Sequence, residues 1–268
     1  MRLVNKKGNE MLKLKSQMAG SLFACFILAG CGGGGGSTTP TPAPIVAAAE
    51  GVFAGTLTGS RSTAFNLLVL ENGDFWTLYG TQSATLFSVA GIVQGTGTSN
   101  NGSFTSSNVK DFGQNPAVNA TLSATYSPTA QTISGTVSSS SGNVGFSGGP
   151  LTNSTYNYAT PAVLSSIAGS WSVTSTSGET ISINISNSGV TTGTGSSGCN
   201  FSGTVTTRPS GKNVFNTTLT FGPAPCGLPN QSASGIAVVY PLTSGRTQVV
   251  FAQVDSTRSY GSAAFGTR

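Results

Sequence analysis

Side-chain chemistry needs nucleophiles, bases, acids or metal ligands, and this chain of 268 residues is poor in all of them, with no histidine, four cysteines and seven acidic residues. Without imidazole there is no Ser-His-Asp or Cys-His relay and no His-based zinc site within the polypeptide. Two stretches mimic functional motifs. Gly193-Thr-Gly195-Ser-Ser-Gly198 has the GxGxxG spacing of a dinucleotide loop. Cys199 and a strand pattern follow it, where a helix N-terminus would have to receive the pyrophosphate. Gly145-Phe-Ser147-Gly-Gly149 has the GxSxG spacing, but no histidine is present to activate the serine and no helix signal follows. The first reads as a glycine-rich turn and the second as a strand end.

Paired carboxylates can hydrolyse glycosides without histidine. Past residue 30 the acids are Glu50, Glu71, Asp74, Asp111, Glu179 and Asp255. Most adjoin turn residues, where solvated charge is the ordinary role, so a carboxylate-based hydrolase ranks last among the readings below. No cofactor and no metal site is expected.

The cysteines are more informative. Lys13 and Lys15 precede the apolar run Leu22–Ala29, which is well short of the roughly 20 residues needed to span a bilayer. Leu28-Ala29-Gly30-Cys31 follows at once, and it resembles the bacterial lipobox. That resemblance implies a signal peptide cleaved between Gly30 and Cys31, a diacylglycerol thioether on Cys31 and a further acyl chain on its amino group. Several acyl chains anchor stably where one binds only marginally. Met11 would open a more compact leader than Met1. Gly32 stands where Asp commonly retains such lipoproteins at the inner membrane of Gram-negative cells. The resemblance therefore implies attachment to the outer membrane.

With Cys25 in the leader and Cys31 lipidated, Cys199 and Cys226 remain as a pair. In an oxidising compartment the expectation is a disulfide. It would close a loop of about 28 residues, contributing about 3–4 kcal/mol in the chain-entropy account. A two-thiol metal or redox site would lack both CxxC spacing and histidine.

Export also explains the charge. Five of the twelve basic residues and one of the seven acids lie within residues 1–30, which leaves seven bases and six acids scattered through the rest. No basic stripe remains, so nucleic acid is excluded as an expected partner.

These residues must be positioned by β-structure. Residues 32–44 (GGGGGSTTPTPAP) read as a tether, flexible and then extended. Beyond it, Phe65–Leu70, the Asn72-Gly73 turn and Phe75–Tyr79 form the best hairpin. Ile181, Ile183 and Ile185 alternate with polar residues, and Val214–Phe221 and Thr247–Val254 also read as strands. Helix signal is confined to Thr160–Ile167, where Thr160 would cap a single turn begun by Pro161. The pattern of an apolar residue, Ala or Ser, Gly, Ser or Thr and a second apolar residue recurs at Phe53–Leu57, Ile133–Val137, Ile167–Trp171 and Phe201–Val205. A glycine between two large apolar residues lets a ring cross the strand or lets the strand bend.

The expected fold is all-β: two tandem antiparallel domains, each a small eight-stranded barrel or sandwich, with one continuous larger sheet as the alternative. The expected divisions are 1–30 signal peptide, 31–49 lipidated cysteine and tether, 50–149 first domain, 150–162 linker and 163–268 second domain. Gly169-Ser-Trp171 resembles the G-x-W of lipocalins, in which the Trp closes one end of a barrel that binds an apolar ligand. The first half departs from that pattern, with Leu57 in the Trp position. Lipid-anchored surface receptors with eight-stranded barrels offer a similar analogy of architecture.

Three readings follow. The leading one is a non-enzymatic outer-membrane lipoprotein with a structural or interaction role. The second is a carrier or receptor for a small apolar or sugar ligand, held in a barrel mouth lined by Phe75, Trp76, Tyr79 or Trp171. The hydrolase is the third. The anchor is tested by metabolic labelling with a radioactive fatty acid: Cys31→Ser is expected to abolish label, and persistent label would refute the lipidation site.

Overall fold

The computed structural model describes residues 46–59, 62–82 and 87–268. Gly30, Cys31, the leader and the tether up to residue 45 lie outside the described residues. The first group of strands is β1 (Gly51–Thr58), β2 (Ala64–Val69), β3 (Asp74–Gln82), β4 (Phe87–Thr96), β5 (Thr98–Asn100), β6 (Ser103–Asp111), β7 (Val118–Ser127), β8 (Thr132–Ser139) and β9 (Gly142–Gly149). They pair antiparallel in the order β4-β3-β2-β1-β9-β8-β7-β6-β5. Pairing of Val93 with Asp111 and Gln94 with Lys110 joins β4 to β6 and closes an eight-stranded ring, with the short β5 riding on β6.

One helical turn, α1 (Leu164–Ile167), leads into β10 (Gly169–Ser175), β11 (Thr180–Ile185), β12 (Val190–Gly195), β13 (Asn200–Thr207), β14 (Phe215–Phe221), β15 (Ser232–Pro241), β16 (Thr247–Asp255) and β17 (Gly261–Thr267). These form a second closed barrel, sealed where Thr174 and Ser175 of β10 meet Phe265 and Ala264 of β17. The helix starts later than its sequence signal. The Thr160 hydroxyl closes a turn on the Asn157 carbonyl, and Val163 takes the N-cap position without a side-chain bond.

Alternation builds both interiors. In β7, Ala120, Leu122, Ala124 and Tyr126 point inward while Asn119, Thr121, Ser123 and Thr125 face water. The repeated glycines let the strands bend. A Cβ on Gly135 would lie 2.6 Å from the Ala124 Cα, and one on Gly203 would lie 2.9 Å from the Leu219 Cα, so a side chain there would force neighbouring strands apart. Gly193, first glycine of the GxGxxG match, instead lies beneath the Phe201 ring on the adjacent strand.

Alternation fails in β2, β3, β15 and β16, and the failure has one cause. Their outward residues are apolar as well, and the two barrels press those faces together. Leu68, Leu70, Trp76, Leu78 and Ile92 of the first barrel share one cluster with Ile236, Val238, Tyr240, Val250, Ala252 and Val254 of the second. The segment between β9 and α1 crosses the same seam and buries Tyr158 in it. Polar contacts flank the seam. Arg208 pairs with Glu71 at 2.9 Å, Lys212 with Glu50 at 2.9 Å, and Arg258 donates to the Gln94 and Asn108 carbonyls.

Trp76 therefore faces the neighbouring barrel and does not line a mouth. On β3 it is one residue out of phase with Phe75, so the two rings point to opposite faces of the sheet. Trp76→Ala is expected to remove about 3–5 kcal/mol of unfolding free energy. Thr121→Ala, on the solvent face of β7, is expected to change it by less than about 0.5 kcal/mol. Chemical denaturation of both variants checks this, and equal effects would contradict the seam.

Candidate functional site

The barrels are filled at one end and hollow at the other. In the first, residues 46–50 close the filled end. Ala49 is buried there with its N–H on the Ser99 hydroxyl, and Tyr126 donates to the Ala47 carbonyl at 2.8 Å. Phe75 and Phe104 pack edge to face above this plug, with ring centroids 5.8 Å apart. From Phe75 toward the opposite end runs a cavity of about 770 Å³. Its wall is apolar (Leu57, Phe65, Leu67, Leu122, Val137, Phe146), and its rim carries Ser62, Gln114, Ser139 and Asn143. Phe65 and Phe146 meet edge to face at 5.6 Å and stiffen one side.

Tyr79 and Asp111 set the polarity of the mouth. The phenol donates to Asp111 Oδ1 at 2.7 Å, and the Gly113 N–H donates to the same oxygen at 2.9 Å. Burial, with the Asp111 charge beside it, pushes the Tyr79 phenol well above its ordinary pKa, so it stays a proton-bearing donor. The ring is also sterically fixed, because a Cβ on Gly113 would lie 1.7 Å from the Tyr79 hydroxyl oxygen. Of the four side chains expected at a mouth, the structure thus brings Phe75 and Tyr79 together in one cavity.

Trp171 lies elsewhere. It closes the filled end of the second barrel, donating Nε1–H to the Ile167 carbonyl at 2.7 Å, with the Arg268 guanidinium 3.8 Å above its ring. Its position two residues into β10 seats the indole in the core with Val205 and Phe215, so it does not line the hollow. The hollow end of this barrel holds about 420 Å³, between Ile181, Phe201, Leu219, Phe221 and Phe251. Sequence reasoning missed these residues because their alternation looks the same whether a barrel is filled or hollow. Cys199 and Cys226 are joined beside this mouth, with an S–S distance of 2.02 Å.

Most of the acids have structural work. Asp74 is bonded within the β2–β3 turn by Asn72 and by Thr96. Asp255 accepts from the Tyr260 N–H and from Thr257, and Glu179 accepts from the N–H and hydroxyl of Ser197. These donors hold both carboxyls below their usual range, for Asp255 against a burial effect that would raise it. Both line the second cavity. Among the described residues no cluster of three or more acids, cysteines or histidines could hold a metal.

No family model matches the chain, and no curated protein does either. Among solved structures it is similar to a double mutant of the vaccine antigen transferrin binding protein B from Haemophilus parasuis Hp5, at 10% identity over 76% of this chain and 60% of that one, with a TM-score of 0.26. It is also similar to isotype 1 transferrin binding protein B from serogroup B Neisseria meningitidis, at 10% identity over 78% and 59% of the two chains, with a TM-score of 0.23. The chain thus spans about 60% of the length of these proteins. Likeness this slight bears on neither ligand nor partner.

Glu71 offers the clearest titration. Burial alone would raise its carboxyl, but its own main-chain N–H, the Tyr158 hydroxyl, Arg208 and Ser210 outweigh that and hold it at about 2, against an ordinary 4.5. A folded-state pKa below the unfolded one means the pair stabilises fully above about pH 4.5 and loses that contribution as pH falls toward 2. Since a quarter of the Glu71 side chain meets solvent, Glu71→Gln is expected to cost about 1–2 kcal/mol at neutral pH. Denaturation at a series of pH values should show that difference closing between pH 4.5 and 2. A difference independent of pH would contradict the pairing.

Proposed function

We propose that this chain is a lipid-anchored binding protein of the cell envelope, attached through Cys31 to the outer membrane, whose first barrel holds a small ligand. One observation carries the reading: a cavity of about 770 Å³, walled by apolar side chains and rimmed by polar ones, open at the end opposite residues 46–50. Small-molecule sites generally occupy about 300–1,000 Å³ with this distribution of polarity. The plug at residues 46–50 leaves the opposite end of the barrel as its mouth. A role in binding, not catalysis, fits a site whose one described carboxylate, Asp111, is held by Tyr79 and Gly113 and has no described basic partner.

This reading favours the carrier or receptor over a purely structural part. The test uses the acyl-free Cys31→Ser protein and the neutral fluorophore N-phenyl-1-naphthylamine. Ala120 lines the cavity from β7, and Ala120→Trp would fill it. The parent protein is expected to take up the fluorophore with a rise in emission, and Ala120→Trp is expected to lose one equivalent of uptake while keeping its near-UV circular dichroism. Equal uptake by both folded proteins would overturn the proposal.

A further inference from the structure

The second barrel carries a mouth of different chemistry. Its floor is aromatic and aliphatic. Phe201 and Phe221 are tilted at 58° with centroids 5.9 Å apart, and Phe251, Leu219 and Ile181 complete the wall. Its charged lining residues are Glu179 and Asp255, and no lysine or arginine lines it. The basic residues of this half are committed elsewhere. Arg208 and Lys212 pair across the seam, Arg268 stacks on Trp171, and Arg246 sits in the β15–β16 turn at the filled end. Arg258, only three residues past Asp255, sends its guanidinium to carbonyls of the first barrel. No described lysine or arginine therefore neutralises the negative charge at the mouth.

We propose that the second barrel binds a small organic cation with an apolar body, an aryl- or alkylammonium compound, with the apolar part among Phe201, Phe221 and Phe251 and the ammonium at Glu179. Glu179 is built for this contact. Both bonds from Ser197 fall on Oε1, which orients the carboxylate and leaves Oε2 without a partner among the described residues. The oxygens of Asp255 are taken by the turn that follows it, so Asp255 contributes charge at a distance. Tyr260 stands at the rim with 61% of its surface exposed, an unusual position for a large aromatic side chain. Its ring face is available to a cation, which aromatic quadrupoles attract.

The mouth is also formed before any ligand arrives. The loop between β14 and β15 makes one wall through Pro225, Gly227 and Leu228, and the Cys199–Cys226 disulfide ties it to the β12–β13 turn. Backbone bonds from Gly222 to the Asn200 carbonyl and from Asn230 to the Gly222 carbonyl hold its base. Preorganisation of this kind removes part of the ordering cost of binding. An anionic amphiphile of the same size would gain the apolar contacts but meet two carboxylates, so the site discriminates by charge and not by shape. The inference is independent of whether the first barrel is occupied.

Isothermal titration calorimetry on the full acyl-free Cys31→Ser chain tests it with two probes of matched length, 4-phenylbutyltrimethylammonium and 5-phenylpentanoate. The ammonium is expected to bind at least tenfold more tightly. Glu179→Gln keeps an acceptor for Ser197 while removing the charge, and it is expected to weaken the ammonium several-fold and narrow the gap between the probes. Ala233→Trp, which fills the cavity from β15, is expected to abolish ammonium binding. Equal affinity for the two probes, no binding of the ammonium, or an ammonium affinity that Glu179→Gln leaves unchanged would each overturn the proposal. Should Ala233→Trp fail to fold, the Glu179→Gln variant at the half-buried rim still decides it.

Discussion

The apolar seam between the barrels is the constraint on which the rest of the molecule depends. Two eight-stranded rings, each closed on itself, leave only the three-residue β5 at a sheet edge among the described strands and so little hydrogen-bonding reason to associate. What joins them is the outward face of β2, β3 and β4 against that of β15, β16 and β17. Burying side chains such as Trp76, Val238 and Tyr240 contributes on the order of 1.5–3 kcal/mol each, more than exposed ion pairs supply. The seam also fixes relative direction. Glu71 and Glu50 meet Arg208 and Lys212 near the filled ends, while Gly261 packs beneath the Phe112 ring near the hollow ends. Both mouths therefore open on the same side.

Charge follows from this division of labour. The Glu71–Arg208 and Glu50–Lys212 pairs and the Arg258 guanidinium lie at the seam, and carboxylates such as Asp74, Glu179 and Asp255 stabilise turns. Away from the seam the outer faces carry hydroxyls and amides, with Ser182 opposite Thr194, Asn184 opposite Thr192 and Thr204 opposite Thr218. The richness in Ser and Thr thus belongs to solvent-facing strand positions. The hollow ends are the other consequence of composition. The filled ends set Phe75 edge to face with Phe104 in one barrel and gather Trp171 and Phe215 in one core cluster in the other, while the opposite ends have too few large inward residues to meet across the ring.

Much of the architecture was legible because its signals are local. The Asn72-Gly73 turn, the alternation around Ile183 and the pairing of the two remaining cysteines each depend on a short stretch of sequence or on elimination, and the structure contains a hairpin, a strand and a disulfide at those places. The site was legible only in part. Phe75 and Tyr79 share the inward face of β3, but Trp76 points into the seam, which period-two reasoning could have separated from them. Uninterrupted apolar runs such as Ile236–Tyr240 were the overlooked sign of strands buried on both faces. Glu71 reads as an ordinary turn acid because its partner, Arg208, lies 137 residues away. Whether a closed barrel is filled or hollow depends on side chains meeting across the ring, and no window of sequence contains that information.

The central claim is that the first barrel is an occupied or occupiable binding site and not an incidental void. Native mass spectrometry of the lipoprotein released gently from its own membranes tests this most directly. The account predicts a small non-covalent adduct at one equivalent, stripped by mild collisional activation before the barrels unfold. A spectrum containing only the bare lipidated chain, unchanged after incubation with an extract of its native envelope, would contradict it.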